Sequence, residues 1–179
     1  LKKAPALPAT TLAQYCYRNM FWGCTSLTKA PELPATTLAP YCYESMFEGC
    51  TSLIEAPDLP ATTLDYSCCY RMFYGCRSLT KAPALPATTL ANSCYKNMFY
   101  GCKSLTKSPV LPATTFAQYC YESMFEGCSS LNEVRCQMPS SYSSSYISSI
   151  AKNWLEGVSS TGTFYTNSYA KWPSGASGI

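Results

Sequence analysis

The sequence contains no histidine. Histidine is the commonest general base and supplies the imidazole ligands of many zinc sites, so Ser/His dyads, Cys/His dyads and mixed Cys/His zinc sites are all excluded. The cysteines also show no C-x-x-C spacing, which is the usual mark of a thiolate metal site. We therefore expect no enzyme activity, no metal and no cofactor.

The chain also lacks runs of like charge and long apolar runs. Its net charge of +3 is spread along 179 residues, so we expect no nucleic-acid partner and no anionic membrane partner. No stretch approaches the roughly 18 uninterrupted apolar residues of a membrane-spanning helix. Residues 1–9 lack the apolar segment of a signal peptide. We therefore expect no membrane insertion in this segment.

What the sequence does contain is a repeat. Five units follow the general form L-x-x-A-P-x-L-P-A-T-T-L-x-x-x-C-x-x-x-M-F-x-G-C-x-S, with their first residues 26 positions apart. This period predicts a solenoid, in which each unit buries its apolar residues against its neighbours. Because Leu1 falls within the pattern, we expect the chain to continue upstream, with any export signal there. The leucines that mark the period are Leu1, Leu27, Leu53, Leu79, Leu105 and Leu131.

Each unit predicts a short strand, a turn and a short helix. Pro31 and Pro34 cannot donate to a sheet, so the strand is limited to two or three residues around 28–30. A threonine pair precedes Leu38, where we expect the helix to begin. Apolar residues then recur every four positions, and the helix is expected to end near Glu48, before a glycine.

The motifs resemble a known family. The M-F-x-G-C-x-S-L run, followed by an apolar strand ending in L-P, resembles the BspA-like leucine-rich repeats of bacterial cell-surface proteins. The later W-L-E-G-V-S-S-T-G-T-F run is similar to the C-terminal ends of gut Bacteroides repeat proteins. The resemblance implies an α+β repeat solenoid, in which a right-handed leucine-rich-repeat coil carries short parallel strands on one side and short helices on the other. The 26-residue period is that of this sequence and is longer than that of the common form of the family.

The repeat pattern decays after Leu131. We expect a solenoid over residues 1–136, with five full units and a degenerate sixth, followed by a C-terminal capping segment over residues 137–179. The capping segment is predicted to contain one helix within 146–157 and one further strand at 162–166. Atypical terminal units of this kind shield the open end of a solenoid.

Ten of the twelve cysteines fall in two columns, one member of each column per unit. Within a unit the two cysteines are eight residues apart, about 12 Å along a helix, which is beyond disulfide reach. Between units, only the second column lies where the spacing allows a bond. We interpret the cysteines as buried thiols, with some disulfides in the second column as the alternative. The first column is Cys16, Cys42, Cys68, Cys94 and Cys120, the second is Cys24, Cys50, Cys76, Cys102 and Cys128, and Cys69 and Cys136 stand outside both.

Two surfaces are candidates for binding. Positions that differ between nearly identical units are not dictated by the fold, so they can serve recognition. The helix side offers aromatic and basic residues, and the strand side offers a row of lysines that would favour an anionic partner or simply keep the surface soluble. The candidate residues are Trp22, Tyr74, Tyr100, Arg18, Arg71 and Arg77 on the helix side, and Lys3, Lys29, Lys81 and Lys107 on the strand side, where Glu55 and Glu133 relieve the repulsion.

Two pairs of glutamates also lie one predicted helical turn apart. They are Glu44 with Glu48 and Glu122 with Glu126. Paired carboxylates serve acid and base catalysis in glycosidases, but here other units carry basic or aromatic residues at the same positions. We interpret them as part of a solvated helix surface rather than as an active site.

The resemblance implies a non-catalytic protein that is extracellular or at the cell surface. Its expected role is adhesion, or binding to a host or extracellular protein or glycan. A structural spacer that holds another domain away from the cell is the alternative. A glycan hydrolase that uses the paired glutamates is a further hypothesis, against which the absence of a single non-repeating charged cluster argues.

Overall fold

A computed structural model describes residues 1–138 and 142–166 of the chain. Its regular elements lie toward the C-terminal end. Strands β1 (Lys107–Leu111) and β2 (Glu133–Cys136), helix α1 (Ser144–Ile150) and strand β3 (Thr163–Thr166) follow in that order. The strands form one parallel sheet in the order β1-β2-β3.

The earlier units also pair in parallel, but each contributes only one or two bridging residues instead of a strand. Parallel bridges join Lys3 to Lys29, Lys29 to Glu55 and Glu55 to Lys81, so each pair of partners is 26 residues apart. Prolines close behind each bridge prevent a longer ladder, and β1, which contains Pro109, has a register shift between Lys107 and Val110. The prediction of a very short strand is confirmed, and the chain is a repeat solenoid in which each unit forms one coil.

The predicted helix from Leu38 to Glu48 is wrong. Residues 40–49 form consecutive hydrogen-bonded turns, as do 14–23, 66–75, 92–101 and 118–127. We call these segments the turn ribbons. Along a turn ribbon, successive backbone N–H groups donate alternately to a carbonyl of the same coil and to a carbonyl of the next coil. The Cys42 N–H donates to the Ala39 carbonyl at 3.2 Å, three residues back, whereas the Tyr43 N–H donates to the Cys68 carbonyl of the next coil at 2.8 Å.

The spacing of the coils explains why a helix does not form. Parallel bridges hold backbones about 4.8 Å apart, whereas packed helices need about 8 to 10 Å. A turn ribbon fits the smaller spacing because half of its N–H groups bond directly to the next coil. Every fourth residue is left-handed, with φ of 56° at Tyr41, 50° at Ser45 and 73° at Gly49. The left-handed glycine was predicted correctly, but it closes a turn ribbon rather than a helix.

The core lies between the bridges and the turn ribbons. One phenylalanine per coil stacks on the next, with ring centroids 5.4 to 5.5 Å apart from Phe21 to Phe125. The repeated leucines from Leu27 to Leu131 are fully buried, as are the methionines from Met46 to Met124. The first coil differs, because Met20 is 45% exposed. Each coil therefore buries its neighbour's apolar residues, as the repeat pattern predicts.

The C-terminal elements continue the stack. Ser143 caps α1 by accepting a hydrogen bond from the Tyr146 N–H at 3.2 Å. The helix is shorter than the predicted 146–157, because residues 152–157 again form turns, and the Glu156 carbonyl accepts from the Gly127 N–H at 2.7 Å. The predicted last strand is confirmed as β3, which pairs with β2. The rest of the predicted capping segment, residues 139–141 and 167–179, lies outside the described residues.

No helix within residues 1–138 and 142–166 has the length and apolar character needed to cross a membrane.

Candidate functional site

The cysteines are packing residues. All twelve are free thiols, and ten of them are buried. The prediction of buried thiols is confirmed for these ten and wrong for the first coil, where Cys16 is exposed and Cys24 is half-buried. The sequence-based exclusion of disulfides from the first cysteine column assumes the distance between packed helices. That distance does not apply, because hydrogen-bonded coils lie closer together than stacked helices.

The second cysteine column makes a specific contact. The Cys50 Sγ donates to the Phe21 carbonyl at 3.1 Å, and the Cys128 Sγ donates to the Phe99 carbonyl at 2.9 Å. Burial raises the pKa of both thiols to about 12. Because the thiolate is the reactive form, neither sulfur is a nucleophile near neutral pH.

The paired glutamates form ion pairs with neighbouring coils. Glu44 Oε2 lies 3.0 Å from Arg18 Nε, and Glu48 Oε1 lies 2.8 Å from Arg71 Nη2. Glu122 Oε2 lies 2.9 Å from Lys96 Nζ. A glycosidase needs one protonated and one ionised carboxyl facing a shared space, whereas each of these three carboxylates faces a cation. The arrangement links coils and offers no acid and base pair.

The turn side brings three of the predicted binding residues together. The Arg71 guanidinium carbon lies 4.2 Å from the centroid of the Tyr74 ring. Tyr74 stacks on Tyr100 with centroids 4.6 Å apart and planes 4° from parallel, and the charge of Glu126 raises the pKa of the Tyr100 phenol. Because the ring faces between the two tyrosines cover each other, this cluster presents mainly ring edges to a partner.

The other predicted residues on this side are more dispersed. Trp22 lies in the first coil, two coils before Tyr74, and is 63% exposed. Arg77 is exposed, and among the described residues it has no ion pair. Arg18 is bound to Glu44. Only Trp22 and Arg77 are therefore free to offer a whole side chain.

On the strand side the lysines form a continuous row. The bridges place Lys3, Lys29, Glu55 and Lys81 on successive coils. Lys107 continues the row, and its Nζ lies 3.0 Å from Glu133 Oε2, so the expected relief by Glu133 is confirmed there. Within the described part of the chain, Lys3, Lys29 and Lys81 have no carboxylate within ion-pair distance. The expected relief by Glu55 does not take the form of an ion pair, but Glu55 stands between Lys29 and Lys81 in the row. This edge of the solenoid therefore carries charges of both signs.

A trough runs beside this row, and sequence reasoning missed it. We call it the proline trough. It contains one cavity of ≈530 Å³ and another of ≈350 Å³, both walled in part by prolines such as Pro31. The larger cavity is also lined by charged side chains of both signs, namely Lys29, Lys81, Glu32, Glu55 and Asp58. Smaller cavities extend it to Pro109. The signal in the sequence was the A-P-x-L-P motif, which places prolines at equivalent positions of successive coils.

The chemistry of these surfaces suits binding more than catalysis. The buried sulfurs are protonated, and Glu44, Glu48 and Glu122 are ion-paired, while the proline trough combines apolar walls with charges of both signs. Within residues 1–138 and 142–166, no group of three or more histidine, cysteine or acidic side chains could hold a metal ion.

Comparison with known families supports the same conclusion. The model of the BspA type leucine rich repeat region matches residues 43–170, with six copies. No curated protein and no solved structure matches the chain. Repeats of this type occur in proteins with protein-binding or surface roles, are typical of bacterial surface proteins and are typically non-catalytic. Since the match covers well over half of its residues, the chain belongs to the BspA type leucine-rich-repeat family.

Proposed function

We propose that this chain is a non-catalytic, right-handed repeat segment of an extracellular or cell-surface protein, and that it mediates adhesion. The partner is a host or extracellular protein, bound along the proline trough and the lysine row. Trp22 and the Arg71, Tyr74 and Tyr100 cluster form a secondary contact surface on the turn side.

One observation carries this proposal. The proline trough lies directly beside three lysines without ion-pair partners, and it continues across successive coils. Apolar walls with a few well-placed charges are the usual composition of a binding groove. The larger cavity of the trough carries Glu32, Glu55 and Asp58 as well as lysines. The surface therefore favours a protein segment that carries charges of both signs among apolar side chains, with its carboxylates toward Lys3, Lys29 and Lys81.

The repetition adds to the affinity. Equivalent lysines and prolines recur on successive coils, so a partner that also repeats can bind several of them at once. Each contact is weak, but linked contacts raise the effective concentration of the next one. This mode of binding suits a fibrous extracellular protein.

The proposal is tested by removing charge from the lysine row. In a surface-plasmon-resonance panel of extracellular matrix proteins, the triple variant K3Q/K29Q/K81Q should bind its best partner about ten-fold more weakly or worse, since interface charges set both encounter rate and specificity. The matched triple K2Q/K103Q/K152Q removes the same charge from exposed positions outside the lysine row and should retain binding.

Two results would contradict the proposal. Equal loss in both triple variants would mean that only net charge matters. Absence of any partner across the panel would favour a spacer role, for which the continuous backbone hydrogen bonding between coils is the supporting observation.

A further inference from the structure

Every unit carries an exposed pair of threonines that never varies. The motif P-A-T-T occurs in all five units, and both threonines are exposed in each of them. The position of Trp22 differs from coil to coil, with Glu48 and Tyr74 in the next two units, whereas the proline that opens the P-A-T-T motif, exposed in the first four units, is as constant as the threonines. We call this surface the threonine face. It consists of Thr10, Thr11, Thr36, Thr37, Thr62, Thr63, Thr88, Thr89, Thr114 and Thr115.

The backbone of the threonine face is bridged at two of the four junctions between units. Parallel bridges join Thr37 to Thr63 and Thr89 to Thr115, and the Thr62 N–H donates to the Thr36 carbonyl at 3.1 Å. Bridged backbones lie about 4.8 Å apart. The threonines of the second and third units, and those of the fourth and fifth, therefore lie side by side along the solenoid.

The backbone conformation does not by itself require the hydroxyls, although an exposed position favours a polar side chain over an apolar one. A β-branched side chain favours the extended backbone at a bridge, and valine would meet that need equally well. Within the described residues, no side-chain hydroxyl of the threonine face makes a hydrogen bond. Thr80 shows the contrast, since its hydroxyl donates to the Ile54 carbonyl at 3.2 Å. Ten hydroxyls are thus left free to bond outside the molecule.

The threonine face is also uncharged. The P-A-T-T motif has no ionisable side chain in any unit, and Asp65 alone lies close behind it in sequence, in the third unit. A charged partner would gain nothing here, whereas a neutral partner rich in hydroxyls could exchange hydrogen bonds with every coil. The threonine methyl groups would contact its apolar C–H surfaces.

We propose that the threonine face binds an ordered, neutral polysaccharide whose chains lie against the solenoid. Each threonine hydroxyl both donates to and accepts from a sugar hydroxyl, and the side-by-side threonines allow many such bonds to form together. This surface and ligand differ from the proline trough and its protein partner, so this inference stands independently of the proposed function.

The experiment measures depletion of the protein from solution by insoluble polysaccharides. The probes are microcrystalline cellulose, chitin and granular starch. The variant T36V/T62V/T88V keeps the β-branched shape but removes three central hydroxyls, and its affinity for the bound polysaccharide should fall about ten-fold or more. The matched control T25V/T28V/T106V removes three exposed hydroxyls outside the threonine face and should bind like the parent protein.

Two further variants sharpen the result. T36S/T62S/T88S keeps the hydroxyls and should retain most of the binding, which separates hydrogen bonding from a change in folding. K3Q/K29Q/K81Q alters the lysine row alone and should bind polysaccharide normally.

Three outcomes would overturn the inference. The first is no binding to any of the three polysaccharides. The second is equal binding by T36V/T62V/T88V and the parent protein. The third is thermal hysteresis of ice growth without polysaccharide binding, which would assign the threonine face to ice instead.

Discussion

At the scale of single residues, the buried thiols act as hydrogen-bond donors between coils. The same contact recurs through the second column from Cys50 to Cys128, where each sulfur reaches a phenylalanine carbonyl of the preceding coil, as in the bond from Cys76 to Phe47 at 3.1 Å. The Phe47 carbonyl already accepts the Cys50 N–H at 3.0 Å. A thiol is a weak donor and a small apolar group, so it adds a second bond to that carbonyl without bringing a strongly solvated atom into the core. This dual role accounts for cysteine at these positions, because alanine would donate no hydrogen bond and would fill less of the space.

A pH dependence of stability follows from these thiols. Burial raises the pKa of Cys128 from its ordinary 9.0 to about 12. The contribution of the buried Cys128 thiol to the free energy of unfolding is complete below pH 9, where the thiol is protonated in both the folded and the unfolded chain. Above that the unfolded chain releases the proton and the folded chain keeps it, so the free energy of unfolding should fall as the pH rises toward 12, by at most about 1.4 kcal/mol per pH unit for one thiol.

Urea unfolding at several alkaline pH values measures this slope. Cys128→Ala should make the slope shallower by about one proton relative to the parent protein. Cys16→Ala is the control, because water surrounds that thiol in the folded chain as it does in the unfolded one. Identical slopes in the parent protein and the Cys128 variant would show that this thiol ionises equally in both states.

At the scale of elements, the turn ribbon is the part that the sequence did not reveal. Leu38, Cys42 and Met46 recur at steps of four, which fits a helix of 3.6 residues per turn. The same steps fit a ribbon in which every fourth residue is left-handed, as Tyr41 and Ser45 are. Local periodicity cannot separate the two, since the deciding contacts are hydrogen bonds to residues about 25 positions away.

A single glycine tests the ribbon. Gly75 has φ of 69°, and a Cβ added there would have nothing within 4 Å. Gly75→Ala should therefore destabilise the protein through backbone conformation alone, by about 1 to 2 kcal/mol. Gly75→Asn should recover part of this loss, because asparagine tolerates the left-handed region better.

Chemical unfolding of the two variants beside the parent protein gives the measurement. Equal stability of the alanine and parent proteins would mean that residue 75 is not left-handed in solution.

At the scale of the whole molecule, the stack is held together on every side. Bridges join the coils at Lys29 and at Thr37, and the turn ribbons join them through bonds such as that from the Phe47 N–H to the Met72 carbonyl at 2.9 Å. Curved solenoids arise when helices on one side need more room than strands on the other. Here backbone hydrogen bonds set a similar spacing around the coil, so the described coils should form a straight rod.

Such a rod should tolerate the loss of one complete unit. Deleting residues 53–78 brings Leu79 into the place of Leu53 and restores every type of contact between coils, because each unit touches only its neighbours. The shortened protein should fold cooperatively with a smaller dependence on urea, since less surface is exposed on unfolding. Circular dichroism during urea unfolding measures both properties.

Deleting residues 53–65 is the matched comparison. It removes half a unit, joins a turn ribbon to the wrong partner and should abolish cooperative unfolding. A folded half-unit variant would refute the one-unit, one-coil arrangement.

The sequence by itself determined the repeat, the residues of the core and the family. Leu27, Met46 and Phe47 were placed inside by periodicity alone, because each unit has only its neighbours against which to bury them. Tertiary structure decided the rest. It converted the expected helices into turn ribbons, placed prolines of successive coils along one trough, and supplied Glu44 and Glu48 with cations from neighbouring coils. These features depend on the distance between coils, which backbone hydrogen bonds between distant residues set and which no local pattern encodes.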